Sequence, residues 1–242
     1  MGLSSADADL HEPARAAGPR MSRRALPITP DLVLRAYRAG LFPMAEGRRS
    51  RHLYWLDPKL RGVLPLDRFH LPRRLRRTVL SGVFDVTADT DFPGVLAACA
   101  APAPGREDSW INEEIEGLFN ALHRMGNAHS IEVRREGALV GGLYGIRIGA
   151  AFFGESMFAR ADDASKVALV HLVARLRRGG FTLLDTQFLN DHLARFGAEE
   201  IPQADYRLRL AQAVDRAATW LPVLSPEALS EEVEALREIS RG

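Results

Sequence analysis

The chain has 242 residues, 46% hydrophobic and 26% charged, with a formal net charge of +1. These are ordinary values for a soluble globular protein, long enough for one large domain or for one domain with a small partner. Cys99 is the single cysteine, which excludes an intrachain disulfide and a cysteine-built zinc cluster and suits a reducing cytoplasm, and no apolar run approaches the ~20 residues of a membrane span.

The near-neutral total hides a segregation of charge. Residues 20–77 hold 15 Lys/Arg against four Asp/Glu, whereas residues 78–242 hold 16 against 24. A basic N-terminal third on a nearly neutral protein is where a polyanion would dock.

In chain order, residues 1–24 have no periodic apolar pattern and are expected to be a disordered extension. Their acids Asp7, Asp9 and Glu12, with no apolar stretch, speak against a secretory signal. Thr29-Pro30 is an N-cap followed by proline at the first helical position, and Gly40 is placed to stop that helix. Val33, Ala36 and Tyr37 would form its inner face. Leu41-Phe42-Pro43-Met44 follows as an expected loop. A basic loop carrying Arg48, Arg49, Arg51 and His52 precedes a strand at Leu53–Trp55. Gly62–Pro65 is a connector or short strand, and Leu71–Leu80 is a basic helix.

From about Phe84 the pattern becomes α/β. A strand at Phe84–Thr87 and a helix at Asp91–Cys99 lead to a proline-containing loop, Ala101–Gly105. Asn112 caps the next helix, whose Glu113, Glu114 and Glu116 lie near its positive end and which stops at Gly126. Three strands follow, Ser130–Arg134, Ala138–Ile146 and Ala150–Phe158, with a hairpin at Gly149. Asp162 is expected to cap the long helix Ala164–Arg178, which Gly179-Gly180 stops. Strand Phe181–Gln187, a short helix near Asn190–Phe196 and a core helix at Gln203–Thr219 complete the pattern, and the Glu-rich tail is expected to be a frayed helix. The order of helix, three strands, long helix, strand and helix from Asn112 onward matches the GNAT acyltransferase sheet. The predicted fold is therefore α/β (α+β), a GNAT-like domain over 67–224 with a small basic N-terminal domain over 25–66 and an acidic tail over 225–242.

Glu155 interrupts a strongly apolar strand, so a buried carboxylate there needs a partner, such as Arg147 or backbone donors, or a chemical task. Strict alternation puts Phe153, Glu155 and Met157 on one face and Phe152, Gly154, Ser156 and Phe158 on the other. Asp185 and Gln187, two apart near the carboxyl end of their strand, would share a face where open α/β sheets place ligand crevices, or Asp185 would simply cap the next turn. The turn before the long helix, Ala159-Arg160-Ala161-Asp162-Asp163, has no glycine and two acids, which would repel the pyrophosphate of a coenzyme. Seven histidines show no ligand spacing, and no HExxH or Walker pattern occurs, so no metal and no nucleotide cofactor are expected.

The string Gly141–Leu176 is similar to the core of leucyl/phenylalanyl-tRNA–protein transferases. So, in the same order, are Gly40-Leu41-Phe42-Pro43-Met44, Gly62-Val63-Leu64-Pro65-Leu66, Trp110-Ile111, Ala128-His129-Ser130 and Leu184-Asp185-Thr186-Gln187. The resemblance runs from about Ile28 to about Val214. It implies transfer of Leu or Phe, and also Met, from aminoacyl-tRNA to the N-terminal Arg or Lys of acceptor proteins, which marks them for N-end-rule degradation. It implies that Asp185 and Gln187 act together on the incoming amine, that Glu155 lies in the substrate site, and that Trp55 and Trp110 stand near the aminoacyl-adenosine, where an indole can stack on adenine. Leu143, Phe152 and Met157 would line the amino-acid pocket, and Arg48, Arg49, Arg51, Arg73, Arg74, Arg76 and Arg77 are candidates for tRNA phosphates. Two positions depart from the family pattern: Arg134 follows Val133 where Trp is frequent, and Leu143 replaces a familiar Met. Two other functions remain open at this level. One is an aminoacyl-tRNA-dependent ligase with a small-molecule or cell-wall acceptor, and the other is a non-catalytic RNA-binding module.

Overall fold

A computed structural model describes residues 28–103 and 107–239; the expected extension over 1–24 lies outside the described residues. Helix α1 (Pro30–Arg38) begins as its sequence dictates: Thr29 Oγ1 accepts from Leu32 N, Pro30 fills the first turn, and Val33, Ala36 and Tyr37 are buried. Gly40 stops it at φ +87°, a left-handed angle that suits glycine. The expected loop at Leu41–Met44 is instead part of strand β1 (Phe42–Ala45), which pairs antiparallel with β2 (Leu53–Leu56). Pro43 fits there because a two-stranded sheet leaves each strand an unpaired edge that needs no N–H.

A seven-stranded mixed sheet is built from β3 (Leu60–Val63), β4 (Asp85–Ala88), β5 (Ala128–Arg135), β6 (Ala138–Ile148), β7 (Ala151–Ala159), β8 (Leu183–Gln187) and β9 (Glu199–Pro202), in the order β4-β5-β6-β7-β8-β3-β9. β7 and β8 are parallel, joined through the long helix α5 (Ala164–Arg178), and the other pairs are antiparallel. One face carries a core with α1, α3 (Phe92–Ala100), α4 (Glu113–Arg124) and α7 (Gln203–Val214). The other carries α2 (Arg73–Leu80), α5, α6 (Asp191–Ala194) and α8 (Pro226–Ile239). Among the described residues no helix is long and apolar enough to cross a membrane.

Several further features differ from what the sequence leads one to expect. β3 lies within the segment read as a separate N-terminal domain, yet it is inserted between β8 and β9, so the large sheet does not divide near residue 66. β9 has no alternating apolar pattern because it pairs with β3 alone, and of its residues Ile201 is the buried one. The long helix is capped by Asp163, not Asp162; Asp163 sits at φ +63° with no side-chain cap bond, and its carboxylate takes Lys166 at 2.6 Å. The expected core helix stops at Val214, short of Thr219. The acidic tail contains α8, which buries Val233 and Leu236 completely against the α5 side and so is docked rather than frayed.

Candidate active site

The parallel register of β7 on β8 runs only from Ala151↔Leu183 to Phe153↔Asp185. Beyond it two irregularities open the sheet. On β7, Tyr144 of β6 pairs with Ser156 and Gly145 with Gly154, so Glu155 is an extra, bulged residue. On β8, Gln187 adopts φ +64°, a conformation costly for a non-glycine residue and frequent at functional sites. The bulge also corrects the simple alternation: Phe153 and Phe158 pack in the α3/α4 core, whereas Phe152 and Met157 pack on the α5 side, so Phe153 and Met157 occupy opposite faces.

A cavity of about 410 Å³ fills the opening. Leu143, Met157, Leu169, Leu172, Leu184 and Leu193 supply its apolar wall; Glu155, Ser156, Ser165, Thr186, Asn190 and His192 supply polar groups. Leu143 and Met157, expected in the amino-acid pocket, line this cavity. Phe152 does not: it is fully buried and stacks on Trp220 at 5.7 Å, away from the cavity.

Glu155 is buried and held by two neutral donors. Tyr37 OH donates to Oε1 at 2.8 Å and Gln187 Nε2 to Oε2 at 2.9 Å, and Arg147 is not among its partners. Burial raises its pKa to about 8; Tyr37 and Gln187 oppose that rise, Asp185 adds to it, and Arg61 offsets part of it. Tyr37 is likewise pushed up, chiefly by burial and then by Glu155.

Asp185 has the opposite surroundings. It is 0% exposed and does not line the cavity. Arg61 Nε lies 3.0 Å from Oδ1, Arg61 Nη2 and Tyr206 OH donate to Oδ2 at 2.7 and 2.6 Å, and the Gln187 amide donates to Oδ1 at 2.7 Å. Arg61 itself sits between the rings of Phe42 and Tyr206, 4.5 Å from each, and donates to the Gly40 carbonyl at 3.0 Å. Burial works against its charge, but Asp185 more than offsets this and leaves the guanidinium pKa raised. Asp185 and Gln187 thus share a strand end and one backbone bond, yet their side chains engage different partners. Tyr37, Arg61 and Tyr206 do not stand out as site residues in the sequence. Tyr37 and Tyr206 look like ordinary core positions there, and Arg61 is one of many arginines in the basic third.

Trp55 and Trp110 are half-buried against the α3/α4 core and neither lines the cavity; the Trp110 carbonyl accepts from Ala45 N at 3.3 Å. The candidate arginines divide. Arg49, Arg51, Arg73, Arg74 and Arg77 are exposed. Arg48 is committed to the protein: its side chain reaches Glu116 at 3.1 Å and the carbonyls of Ala100 and Ile111, and its amide donates to Asp108. Arg76 faces Glu234 of α8 at 3.5 Å. Among the described residues no group of three or more His, Cys, Asp or Glu is arranged to hold a metal ion.

Residues 63–211 match the family model described as leucyl/phenylalanyl-tRNA protein transferase, and residues 27–59 match the model of its N-terminal domain. A relative named leucyl/phenylalanyl-tRNA--protein transferase from Paramagnetospirillum magneticum is 58% identical over 192 residues, covering 79% of this chain and 92% of the relative. One of the same name from Nitrobacter winogradskyi is 54% identical, covering 88% and 96%. The solved structure of FemX aligns at 12% identity and a TM-score of 0.48, covering 74% of this chain and 70% of FemX.

Proposed function

The chain belongs to the leucyl/phenylalanyl-tRNA protein transferase family, and on that premise we propose that its acceptors are proteins with N-terminal Arg or Lys, which the added residue marks for N-end-rule degradation in the cytoplasm. The activity is aminoacyl transfer: leucine or phenylalanine leaves the terminal ribose of its tRNA, and the α-amine of the acceptor takes its place at the carbonyl carbon. The observation that carries the site assignment is the cavity at the β7/β8 opening, an apolar chamber with Glu155 and Gln187 buried at the bulge. The leucyl or phenylalanyl side chain occupies the apolar wall of Leu143, Met157, Leu169 and Leu172. Met157 is flexible enough to fit an aliphatic or an aromatic guest, and a methionyl guest as well. The α5 crossover between parallel strands that then part supports a GNAT-like catalytic domain.

The tRNA is held through phosphates by the exposed arginines Arg49, Arg51, Arg73, Arg74 and Arg77, with Trp55 and Trp110 as stacking platforms for the terminal adenine. The test is to mix the protein with labelled leucyl-tRNA and peptides differing only at the first residue. Label should enter the Arg-first and Lys-first peptides, and valyl-tRNA should be a poorer donor by about 10–200-fold, the worth of one methylene-scale difference. Equal transfer from valyl- and leucyl-tRNA would refute the pocket assignment, and no peptide labelling would refute the acceptor assignment.

A further inference from the structure

We propose that the Glu155 carboxylate takes the proton of the attacking α-ammonium, that the Tyr37 hydroxyl is the positioning residue that holds it for this task, and that Asp185 acts as a structural clamp. The inference rests on the transferase reading above.

Asp185 is placed to bind protein and not substrate. Its two oxygens already accept from Arg61, Tyr206 and the Gln187 amide, it is fully buried, and it lies outside the cavity wall. Those bonds tie β3, α7 and β8 together. Gln187 has an amide, which is no base near neutral pH. Glu155 lines the cavity and accepts from Tyr37 and Gln187, whereas a carboxylate offers roughly four acceptor sites. Its remaining capacity is available to an ammonium entering the cavity, and Gln187 is beside it to orient that nitrogen.

Proton accounting closes without a further reagent. Ionised Glu155 takes one proton from the acceptor's ammonium. The freed nitrogen lone pair forms the C–N bond at the ester carbonyl, and the C–O bond to the ribose breaks. A second nitrogen proton goes to the departing ribose oxygen, the third stays on the new amide, and Glu155 returns its proton to water after product leaves. An α-ammonium has a pKa of about 8, and burial brings Glu155 to about 8, so the transfer between them is nearly thermoneutral. The groups that face Glu155 are Tyr37 from α1, Gln187 and Asp185 from β8, and Arg61 from β3, with Tyr144 of β6 close enough to act on Tyr37. Since the Tyr37 hydrogen bond stabilises the ionised form, removing it moves the Glu155 pKa upward.

The experiment measures kcat and KM for leucyl-tRNA and an Arg-first peptide from about pH 5.5 to about pH 10, together with a 13C-carboxyl titration of Glu155 in the full chain. Wild type should show kcat rising with pH to a plateau with a midpoint near 8, matched by the carboxyl titration. Glu155→Gln should lower kcat by about 10²–10⁴-fold with KM for leucyl-tRNA nearly unchanged. Tyr37→Phe should move both midpoints to higher pH by about one unit and regain its rate there, which a role confined to folding would not produce. A kcat midpoint below about 6.5 would point to His192, which also lines the cavity, and would overturn the proposal. So would wild-type turnover in Glu155→Gln, or a Glu155 carboxyl that titrates as an exposed one. If wild type transfers no label at any pH, it is the transferase reading that has failed.

Discussion

Glu155→Gln should make the protein more stable in alkali and leave it unchanged in acid. The folded carboxyl has a pKa of about 8 against an ordinary 4.5. With a folded pKa above the unfolded one, the neutral carboxyl's contribution is fully present below about pH 4.5, is lost progressively as pH rises, and is gone above about 8. The full span, at 1.36 kcal/mol per unit, is about 5 kcal/mol. Glutamine keeps an oxygen for the Tyr37 hydroxyl, and rotating the Gln187 amide lets its oxygen accept from the new amide, but the Gln187 NH2 then leaves its present acceptor and part of the gain is lost. Allowing for imperfect packing, about 2–4 kcal/mol should be recovered above pH 8, or roughly 5–15 °C in Tm for a domain of this size. The assay is thermal or urea unfolding of both proteins at intervals from pH 5 to 9.5, roughly the window in which linkage acts. A stability difference that does not grow with pH across that window would refute the assignment of a buried, neutral Glu155.

Three further outcomes follow from the same geometry. Arg61→Met should cost about 3–5 kcal/mol in urea unfolding, since it strands Asp185 at 0% exposure, and Arg61→Met with Asp185→Leu should recover part of that loss; a single variant as stable as wild type would refute the clamp. His171, whose pKa burial and then Arg175 lower to about 3, contributes stability that is present above about 6.5 and lost as pH falls toward 3, so His171→Leu should flatten the acid limb of the stability profile. Changing Arg73, Arg74 and Arg77 to Ala should weaken all donor tRNAs alike and flatten the plot of log affinity against log salt by about 0.7–0.9 for each phosphate no longer neutralised, with the Leu-to-Phe preference unaltered; an unchanged slope in a filter-binding series would place the RNA elsewhere.

Much of the fold was legible because its local signals are strong. The Thr29 and Asn112 caps each accept the amide hydrogen bond that their position implies, and the apolar strands β5 to β7 fall where their β-branched and aromatic runs are. The failures have physical causes. β9 and β1 are short strands whose pairing partners lie elsewhere in the chain, so no local periodicity marks them. α8 reads as an acidic tail because its apolar residues Leu229, Val233, Leu236 and Ile239 are interspersed with glutamates, and its docking depends on the α5 surface and on ion pairs such as Arg177 with Glu232. At the site, the oddity of Glu155 was visible, but its partners were not. Tyr37 is 118 positions away and Gln187 is 32, and the bulge that delivers Glu155 to the cavity breaks the alternation used to read the strand.

The two carboxylates at the strand opening show why the site needs both strands to depart from regularity. Regular parallel pairing beyond Phe153↔Asp185 would carry β7 and β8 side by side, with no space between them for a side chain of substrate. The bulge at Glu155 and the left-handed Gln187 end that pairing, at the expense of ladder hydrogen bonds. Asp185 stands at the last paired position, and its bonds to Arg61 of β3 and Tyr206 of α7 hold the parted edge where the ladder no longer does. An ion pair suits that task because its two parallel donor contacts fix the relative position of β3 and β8. Glu155, just past the end of the pairing, is met by a hydroxyl and an amide, so burial decides its protonation. A buried ion pair therefore maintains the opening, and a carboxyl whose protonation burial controls faces into it.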